Sequence, residues 1–369
     1  MPDPRIDSLA AVILDYTTRV GKGDIVVIRG ESLGEPLLAA LYRQSLQRGA
    51  HPHLDVWLPD QTESFFRHAS GAQLEYVSPV LRQFYEEFDV MIRVDAEANT
   101  KARSNIDASK QSRWEYAQRN LLQRSLDRSA IGEFRWCRTL FPTNAYAQDT
   151  EMALSEFEDF VFQACFVDGE GDAVDRWQSL SRRQQRIVDW LQGKKEIRLR
   201  GEGTDLALSV EGRTFINCDG GDFNMPDGEI FTSPVETSIN GHVAFSYPTC
   251  YRGREVENVQ LWFEEGRVVK AEATKNLAFL RTMLDTDEGA RRLGEFAFGM
   301  NPGIQRFTKN ILFDEKIGGT VHMALGTAYP ETGGANRSAI HWDMICDLRQ
   351  GGEVHVDGEL FAKDGEIVI

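Results

Sequence analysis

The spacing of apolar residues changes near residue 195, and this change limits the possible folds more than any other feature of the sequence. Before it, apolar residues recur every three or four positions, as over residues 9–20, which is typical of helices. After it, apolar and polar residues alternate, as over residues 259–263, and Glu-Gly turns such as the one at 265–266 join the alternating segments. The sequence therefore predicts different architectures for the two parts of the chain.

The first part alternates between strand and helix patterns. Residues 25–28 read Ile-Val-Val-Ile, a β-branched run that suits a strand covered on both faces of a parallel sheet. A helical pattern after Pro36 and a second strand at 53–58 complete a βαβ unit, and a third strand is predicted at 88–94. We therefore predict an N-terminal α/β domain, residues 1–192, with an open and mainly parallel sheet.

The second part is built mainly from hairpin patterns. Alternating segments fill residues 197–272, a helix is predicted over 276–292, and further hairpins are predicted in the last seventeen residues, 353–369. We predict a C-terminal α+β domain, residues 193–369, with a mainly antiparallel sheet. A length of 369 residues agrees with two domains.

Composition restricts the partners of this chain. Asp and Glu number 57 against 41 Lys and Arg, and the net charge of −16 would repel a nucleic acid. No apolar run approaches the about 18 residues that a membrane span needs, and residues 1–7 lack the apolar core of a secretory signal. The five cysteines are scattered without a Cys-x-x-Cys spacing, which is typical of reduced thiols. We expect a cytoplasmic protein without a nucleic-acid or membrane partner.

Possible metal ligands concentrate near the end of the chain. His341 and Asp343 are two residues apart in a predicted strand, so their side chains share one face. His322 lies within twenty residues of His341. Imidazole and carboxylate groups are common ligands of divalent transition metals. A His-x-Asp pair alone is a weak signal, because such pairs also occur at surfaces without a metal.

Two acids lie among apolar residues further upstream. Glu229 is in the segment Asn-Met-Pro-Asp-Gly-Glu-Ile-Phe-Thr-Ser-Pro at 224–234, and Glu295 is in Leu-Gly-Glu-Phe-Ala-Phe at 293–298. A carboxylate in such a segment is costly to bury unless it is paired or binds a metal. The alternative for Glu295 is an edge strand whose acid faces water.

Together these segments resemble the aminopeptidase T and aminopeptidase S family of thermophilic-type dinuclear metalloaminopeptidases. The likeness rests on residues 224–234 and 293–295, on Phe-Asp-Glu at 313–315, on His-x-Ala-Leu-Gly at 322–326 with Tyr329, and on His-x-Asp at 341–343. The resemblance implies a cytoplasmic homodimer. It also implies that the sheet of the C-terminal domain, residues 193–369, carries the catalytic metal site, with two divalent metal ions per chain, which would be zinc, cobalt, manganese or magnesium. It also implies a peptide substrate, whose N-terminal residue is hydrolysed by water that the two metals activate.

The resemblance assigns roles to individual residues. Glu295 is expected to bridge the two ions, and either Glu229 or Glu315 would pass a proton to the leaving amine. Tyr329 would either donate a hydrogen bond to the tetrahedral oxyanion or bind a metal; its plain alternative is a packed aromatic. The implied metal ligands are Glu229, Glu295, Glu315, His322, His341 and Asp343. The implied catalytic residues are Tyr329, Glu229 and Glu295.

Two other functions remain as alternatives. Some relatives of this fold are mononuclear non-haem iron dioxygenases that cleave dihydroxypyridine rings, and these would not need Glu229 and Glu295. The other alternative is a catalytically silent relative. The clustered acids favour the peptidase, since several buried carboxylates are costly to keep without a function.

Overall fold

The structure divides into two compact units. It is a computed structural model that describes residues 3–251 and 253–369. The first unit runs to Trp177 and also takes in Gly220–Pro226, and the second unit comprises Gln178–Asp219 and Asp227–Ile369. The predicted domain boundary after residue 192 stays a prediction. Within the described ranges, no helix combines the length and the apolar content that a bilayer crossing requires.

The helices and strands are numbered in chain order. The helices are α1 (Pro4–Val12), α2 (Glu35–Gln47), α3 (Gln61–His68), α4 (Gly71–Leu74), α5 (Pro79–Glu86), α6 (Ala108–Ala130), α7 (Asn144–Asp149), α8 (Leu154–Ala164), α9 (Ala173–Leu191), α10 (Leu277–Leu284) and α11 (Ile311–Asp314). The strands are β1 (Ile25–Glu31), β2 (His51–Trp57), β3 (Val90–Asp95), β4 (Arg135–Leu140), β5 (Glu196–Gly201), β6 (Thr204–Ser209), β7 (Ile216–Cys218), β8 (Phe223–Met225), β9 (Glu229–Thr232), β10 (Asn240–Ala244), β11 (Thr249–Tyr251), β12 (Arg254–Val256), β13 (Gln260–Glu264), β14 (Arg267–Glu272), β15 (Leu293–Gly299), β16 (Thr320–Gly326), β17 (His341–Asp347), β18 (Glu353–Val356), β19 (Glu359–Lys363) and β20 (Glu366–Ile367).

The first unit contains a parallel sheet of five strands in the order β2-β1-β3-β4-β8. Val26, Val27 and Ile28 of β1 are fully buried, as their β-branched run predicts. Helix α2 packs against β1 and β2. The prediction of an α/β layer with a mainly parallel sheet is confirmed.

One buried acid lies at the end of β3 in this unit. Asp95 accepts hydrogen bonds from Arg93 Nε at 2.8 Å and from Arg138 Nε at 2.6 Å, one on each carboxylate oxygen. Burial alone would raise the pKa of Asp95, but the two guanidinium groups outweigh it and lower this pKa below its usual value. Asp95 is therefore a charge that the protein itself neutralises.

The second unit contains antiparallel sheets of eight and five strands, and β11 pairs with β12 in a two-stranded sheet. The first has the order β14-β13-β10-β6-β5-β18-β19-β20, and the second has the order β17-β16-β15-β9-β7. Strand β6 shows the buried and half-buried alternation that the sequence predicts, and the turn at Glu265 and Gly266 joins β13 to β14. The prediction of a mainly antiparallel C-terminal region is confirmed.

The helix predicted over 276–292 is shorter than expected. Helix α10 ends at Leu284, and a short 3-10 turn follows at Gly289–Arg291. The Asp287 carboxylate accepts hydrogen bonds from the backbone N–H of Ala290 and from Ser338. The bond to Ala290 is local and competes with the helical ladder, whereas the bond from Ser338 comes from a distant part of the chain.

Candidate metal centre

The predicted site residues on the strands share one face of the β17-β16-β15-β9-β7 sheet. Residues directly opposite one another on neighbouring antiparallel strands point to the same side. The register gives the pairs Glu229 with Gly299, His322 with Ala297, Glu295 with Ala324, Asp343 with Ala324, and His341 with Gly326. We call this side the site face. The ladder alone therefore brings five of the predicted residues together.

The residues between these acids and imidazoles are small. Ala297, Gly299, Ala324 and Gly326 lie on the site face, and their short side chains leave space for the longer polar ones. A Cβ at Gly326 would lie 2.1 Å from the backbone oxygen of Ile340, so only glycine fits there. The opposite face is apolar, with buried Phe296, Phe298, Met323, Trp342 and Met344.

A β-bulge at Gly294 decides which way Glu295 points. Leu293 pairs with Leu325 and Glu295 pairs with Ala324, so the register shifts by one residue between them. In a regular strand, residues two apart share a face. The bulge instead sends Leu293 to the apolar face and Glu295 to the site face. A Cβ on Gly294 would lie 2.1 Å from the Thr327 oxygen, so the bulge needs glycine.

Glu295 lies between the two imidazoles. Its Oε1 is 3.6 Å from His322 Nε2, and its Oε2 is 3.1 Å from His341 Nε2. Glu229 Oε2 is 3.4 Å from His322 Nε2 on the other side, and Asp343 Oδ1 is 3.6 Å from His341 Nε2. Glu295 is 5% exposed, which contradicts the alternative of a water-facing acid on an edge strand. The imidazoles and acids form one continuous cluster.

The backbone orients His341. Its Nδ1 is 3.0 Å from the carbonyl oxygen of Thr327. A carbonyl only accepts hydrogen bonds, so Nδ1 carries a proton and Nε2 is the nitrogen that faces the acids. Tyr329 Oη is 3.5 Å from this same Nε2, and the Tyr329 ring lies 5.0 Å from the Phe231 ring, centroid to centroid. Tyr329 therefore both packs as an aromatic and presents its hydroxyl to the cluster.

Glu315 joins the cluster through a loop. It follows α11, and a ligand atom of Glu315 lies within 4.8 Å of ligand atoms of Glu229 and His322. A second group with the same closeness consists of Glu295, His322 and Asp343. His322 belongs to both groups. The structure thus brings all six predicted ligands and Tyr329 into one region of the second unit.

Sequence reasoning missed three residues beside these groups. Lys316 is fully buried, and its Nζ contacts Glu315 and lies 3.6 Å from Glu229 Oε1 and 3.9 Å from Asp227 Oδ1. Asp227 and Cys218 form a third close group with Glu229. Asp227 is two residues before Glu229, and this spacing was the available signal; a lysine in a loop carries no such signal.

The cluster shifts the pKa values of its members. Burial raises the pKa of Glu229 well above its usual value. Burial also raises the pKa of Glu295, but interactions with His322 and His341 outweigh it and lower this pKa to about 2. Burial lowers the pKa of His322, yet Glu295 and Glu229 raise it to about 9. A cation that binds these imidazoles must therefore displace protons.

Several buried atoms have no hydrogen-bond partner among the described residues. Four of them belong to the cluster: Glu229 Oε2, His322 Nδ1, Asp343 Oδ1 and Asp227 Oδ2. A buried polar atom without a partner is costly, and a bound cation would remove that cost for acid oxygens. Carboxylate and imidazole donors also match the ligand preferences of divalent transition metals. The residues present thus fit a metal centre.

A comparison with known protein families identifies the family of this chain. The thermophilic metalloprotease family, M29, matches residues 3–368. The chain belongs to this family. The resemblance that the sequence motifs indicated is confirmed.

Named relatives of this M29 chain are aminopeptidases. Aminopeptidase 2 of Geobacillus stearothermophilus is 32% identical over 275 residues, which are 65% of this chain and 65% of that protein. Aminopeptidase T of Thermus thermophilus is 33% identical over 251 residues, 60% of this chain and 59% of that protein. AmpS of Bacillus subtilis is 30% identical, with 63% and 58% covered. The matches thus span slightly under two thirds of these relatives.

Solved structures share the fold of the M29 chain. Wild-type AmpT from Thermus thermophilus has a TM-score of 0.84 at 24% identity, with 99% of each chain covered. The 2,5-dihydroxypyridine dioxygenase of Pseudomonas putida KT2440 has a TM-score of 0.63 at 13% identity, with 99% of this chain and 96% of that chain covered. At these identities both comparisons concern the fold alone.

Proposed function

We propose that this chain is a metal-dependent aminopeptidase that hydrolyses the N-terminal residue from peptides with the help of two divalent cations. The observation that carries the proposal is the position of Glu295, whose two oxygens face two different imidazoles. A carboxylate in this position can be shared by two cations. Membership of the M29 family and the aminopeptidase names of its relatives support the same activity.

The charge of the cluster supports two cations rather than one. It contains five carboxylates and one ammonium: Asp227, Glu229, Glu295, Glu315, Asp343 and Lys316. When all are ionised, the lysine offsets one of five negative charges. Four negative charges are left, which is the charge that two divalent cations neutralise. With one cation, protons held by the imidazoles or acids would have to cancel the remaining charge, because uncompensated charge is costly in a buried place.

We assign the ligands to two neighbouring positions. Glu229, Glu315 and His322 would hold one cation, His341 and Asp343 would hold the other, and Glu295 would be shared. Zinc, cobalt and manganese suit these donors, and magnesium suits the carboxylates. Cations in such sites lower the pKa of a water and polarise the scissile carbonyl.

The remaining steps belong to residues of the chain. The Tyr329 hydroxyl, beside His341, is placed to donate a hydrogen bond to the oxyanion that forms on the scissile carbonyl. Glu315, which is half-buried, or Glu229 would carry the proton to the leaving amine. The five cysteines all lie among the described residues and none of them forms a disulfide, which suits a reducing compartment. We propose a cytoplasmic homodimer whose residues 193–369 form the catalytic domain. Light scattering of the purified chain tests the dimer.

Elemental analysis of Glu295→Gln and His341→Ala beside the wild type tests the metal centre. We expect two metals per wild-type chain, loss of one or both in each variant, and a fall in dipeptide hydrolysis of more than about 100-fold, since a direct ligand should exceed the effect of an outer-shell partner. The exposed Glu264 in the same unit gives the matched control Glu264→Gln, which should keep both metals and full activity. Full metal occupancy in both site variants would contradict the proposal.

The same analysis separates the alternatives. One iron per chain, with oxygen consumption and without peptide hydrolysis, would indicate a dioxygenase. Two metals without amino-acid release from a panel of dipeptides would indicate a silent relative.

Tyr329→Phe tests the role of the Tyr329 hydroxyl. We expect kcat to fall by about 10-fold or more with both metals retained, because the lost hydrogen bond acts on the oxyanion. Loss of a metal in this variant would make Tyr329 a ligand instead.

A further inference from the structure

Lys316 is a fully buried ammonium group that no motif of the sequence singles out. Its Nζ contacts three carboxylates from two separate stretches of the chain. Glu315 is its neighbour in the loop after α11, whereas Glu229 begins β9 and Asp227 lies two residues before it. Lys316 is therefore the only described side chain that bridges the loop and the strand by an ion pair at this site.

The contact divides the two oxygens of Glu229. Oε1 is the atom that faces Lys316, at 3.6 Å. Oε2 has no hydrogen-bond partner among the described residues and lies 3.4 Å from His322 Nε2. Oε1 of Glu229 thus faces the lysine, whereas Oε2 faces the possible metal-binding group that Glu229 forms with Glu315 and His322.

Asp227 is the third carboxylate beside the Lys316 ammonium group. Its Oδ1 accepts the backbone N–H of Gly228 and faces Lys316 Nζ at 3.9 Å. The Asp227 backbone oxygen accepts a hydrogen bond from Asn301 Nδ2 at 2.7 Å, so the segment that carries this acid is itself held in place. The ammonium has little freedom to leave its position between the acids.

We propose that Lys316 is a positioning residue of the metal centre, which holds Glu229 and Glu315 so that they can bind one of the two cations. This inference rests on the proposed two-metal function. Lys316 acts as a fixed internal cation: it reduces the repulsion between the acids and leaves one oxygen of Glu229 free. It reaches neither Glu295 nor Asp343 by an ion pair within 4.0 Å among the described residues, so the position formed by His341 and Asp343 should not depend on it.

The test is a metal titration of Lys316→Met, because methionine is unbranched, of similar length and uncharged. Metal-free protein is equilibrated with zinc at buffered free concentrations, and bound zinc is counted by elemental analysis. We expect one of the two positions to weaken by about 10- to 100-fold, the range for outer-shell partners, and the other to stay within about threefold. Adding His341→Ala to this variant should then remove the remaining zinc, which identifies the weakened position as that of Glu229 and Glu315.

The matched control is Lys309→Met. Lys309 lies in the same unit and pairs with Glu255 at 3.6 Å, away from the cluster acids. The Lys309→Met variant should bind two zinc ions with wild-type affinity. Melting curves of the metal-free proteins check folding, and if Lys316→Met is unfolded at the assay temperature, Lys316→Gln takes its place, since glutamine keeps N–H donors but lacks the charge.

The outcomes separate this inference from the proposed function. Two zinc ions bound with wild-type affinities in a folded Lys316 variant would overturn the positioning role and leave the two-metal proposal intact. A wild-type chain that binds no zinc, or only one ion, would overturn the proposed function itself. Equal weakening of both positions would also contradict a role confined to Glu229 and Glu315.

Discussion

Asp95 in the first unit and Glu295 in the second are both buried acids with a lowered pKa, but different groups lower it. Each oxygen of Asp95 accepts a hydrogen bond from an arginine that is always charged. Glu295 faces imidazoles, which are charged only while they hold a proton, and other acids surround it. Asp95 is neutralised by the chain, whereas Glu295 depends on a proton or on a cation from outside.

The difference shows how a structural acid can be told from a binding acid. Burial alone does not separate them, since Asp95 and Glu295 are 9% and 5% exposed. The separation lies in the partners: permanent positive charges around Asp95, and unpartnered buried oxygens on Glu229 and Asp343 beside Glu295. A cluster with unpartnered oxygens gains stability when a cation binds, and a closed ion pair does not.

Metal removal should reveal the largest difference between the two regions. Chelation should lower the melting temperature of the wild type, because a cation held at 100 times its Kd stabilises the folded state by about 2.7 kcal/mol per position. Differential scanning calorimetry with and without zinc measures this shift. Asp95→Asn should keep the zinc-dependent shift, and Glu295→Gln should lose most of it. An unchanged melting temperature after verified zinc removal would break the comparison.

The substitution Asp95→Asn should lower the free energy of unfolding by less than metal removal does, and this loss should not depend on the metal concentration. We expect a loss of about 1–2 kcal/mol in the free energy of unfolding, because charged hydrogen bonds are lost to arginines that are themselves about half exposed to solvent. Urea unfolding in the presence of chelator measures it. The matched control is Asp159→Asn, whose exposed carboxylate pairs with Arg5 and which should stay within about 0.5 kcal/mol of wild type. A loss of more than about 0.5 kcal/mol in Asp159→Asn would count against this difference between a buried and an exposed ion pair.

The smallest expected effect is a pH dependence of that loss. Because Asp95 has a folded-state pKa below its unfolded value of about 3.9, its charge contributes stability that is present above this value and disappears as the pH falls through the folded pKa. The difference in unfolding free energy between wild type and Asp95→Asn should be constant near neutral pH and shrink below about pH 4. Urea unfolding across this range measures it. A difference that grew on acidification would show the wrong sign.

Local patterns in the sequence predicted the fold class well. The β-branched run at 25–28 and the alternation after residue 195 each depend on neighbouring residues, so one sequence suffices to read them. Strand β8, at Phe223–Met225, was not predicted, because three residues carry no periodicity and its partner β4 is far away in the chain. The end of helix α10 was missed because Asp287 bonds to residues about fifty positions later.

The candidate site was predictable as a set of residue types, and less so as an arrangement. That His341 and Asp343 share a face follows from their spacing. The register that brings His322 opposite Ala297 is a non-local property, and no single sequence reveals it. Lys316 was missed because a lysine between loop residues is usually exposed. The metal and catalytic roles of the predicted residues stay predictions until the experiments above are done.

The bulge at Gly294 has a consequence for anyone who wishes to transplant this centre into another scaffold. A list of seven ligand and catalytic side chains would be an insufficient recipe, because the direction of Glu295 comes from one additional backbone residue in β15. The portable unit is the set of four adjacent strands β9, β15, β16 and β17 with the bulge intact, together with the loops that carry Glu315 and Tyr329. In a mutational library, position 294 should tolerate no replacement, although its glycine has no side chain to offer chemistry.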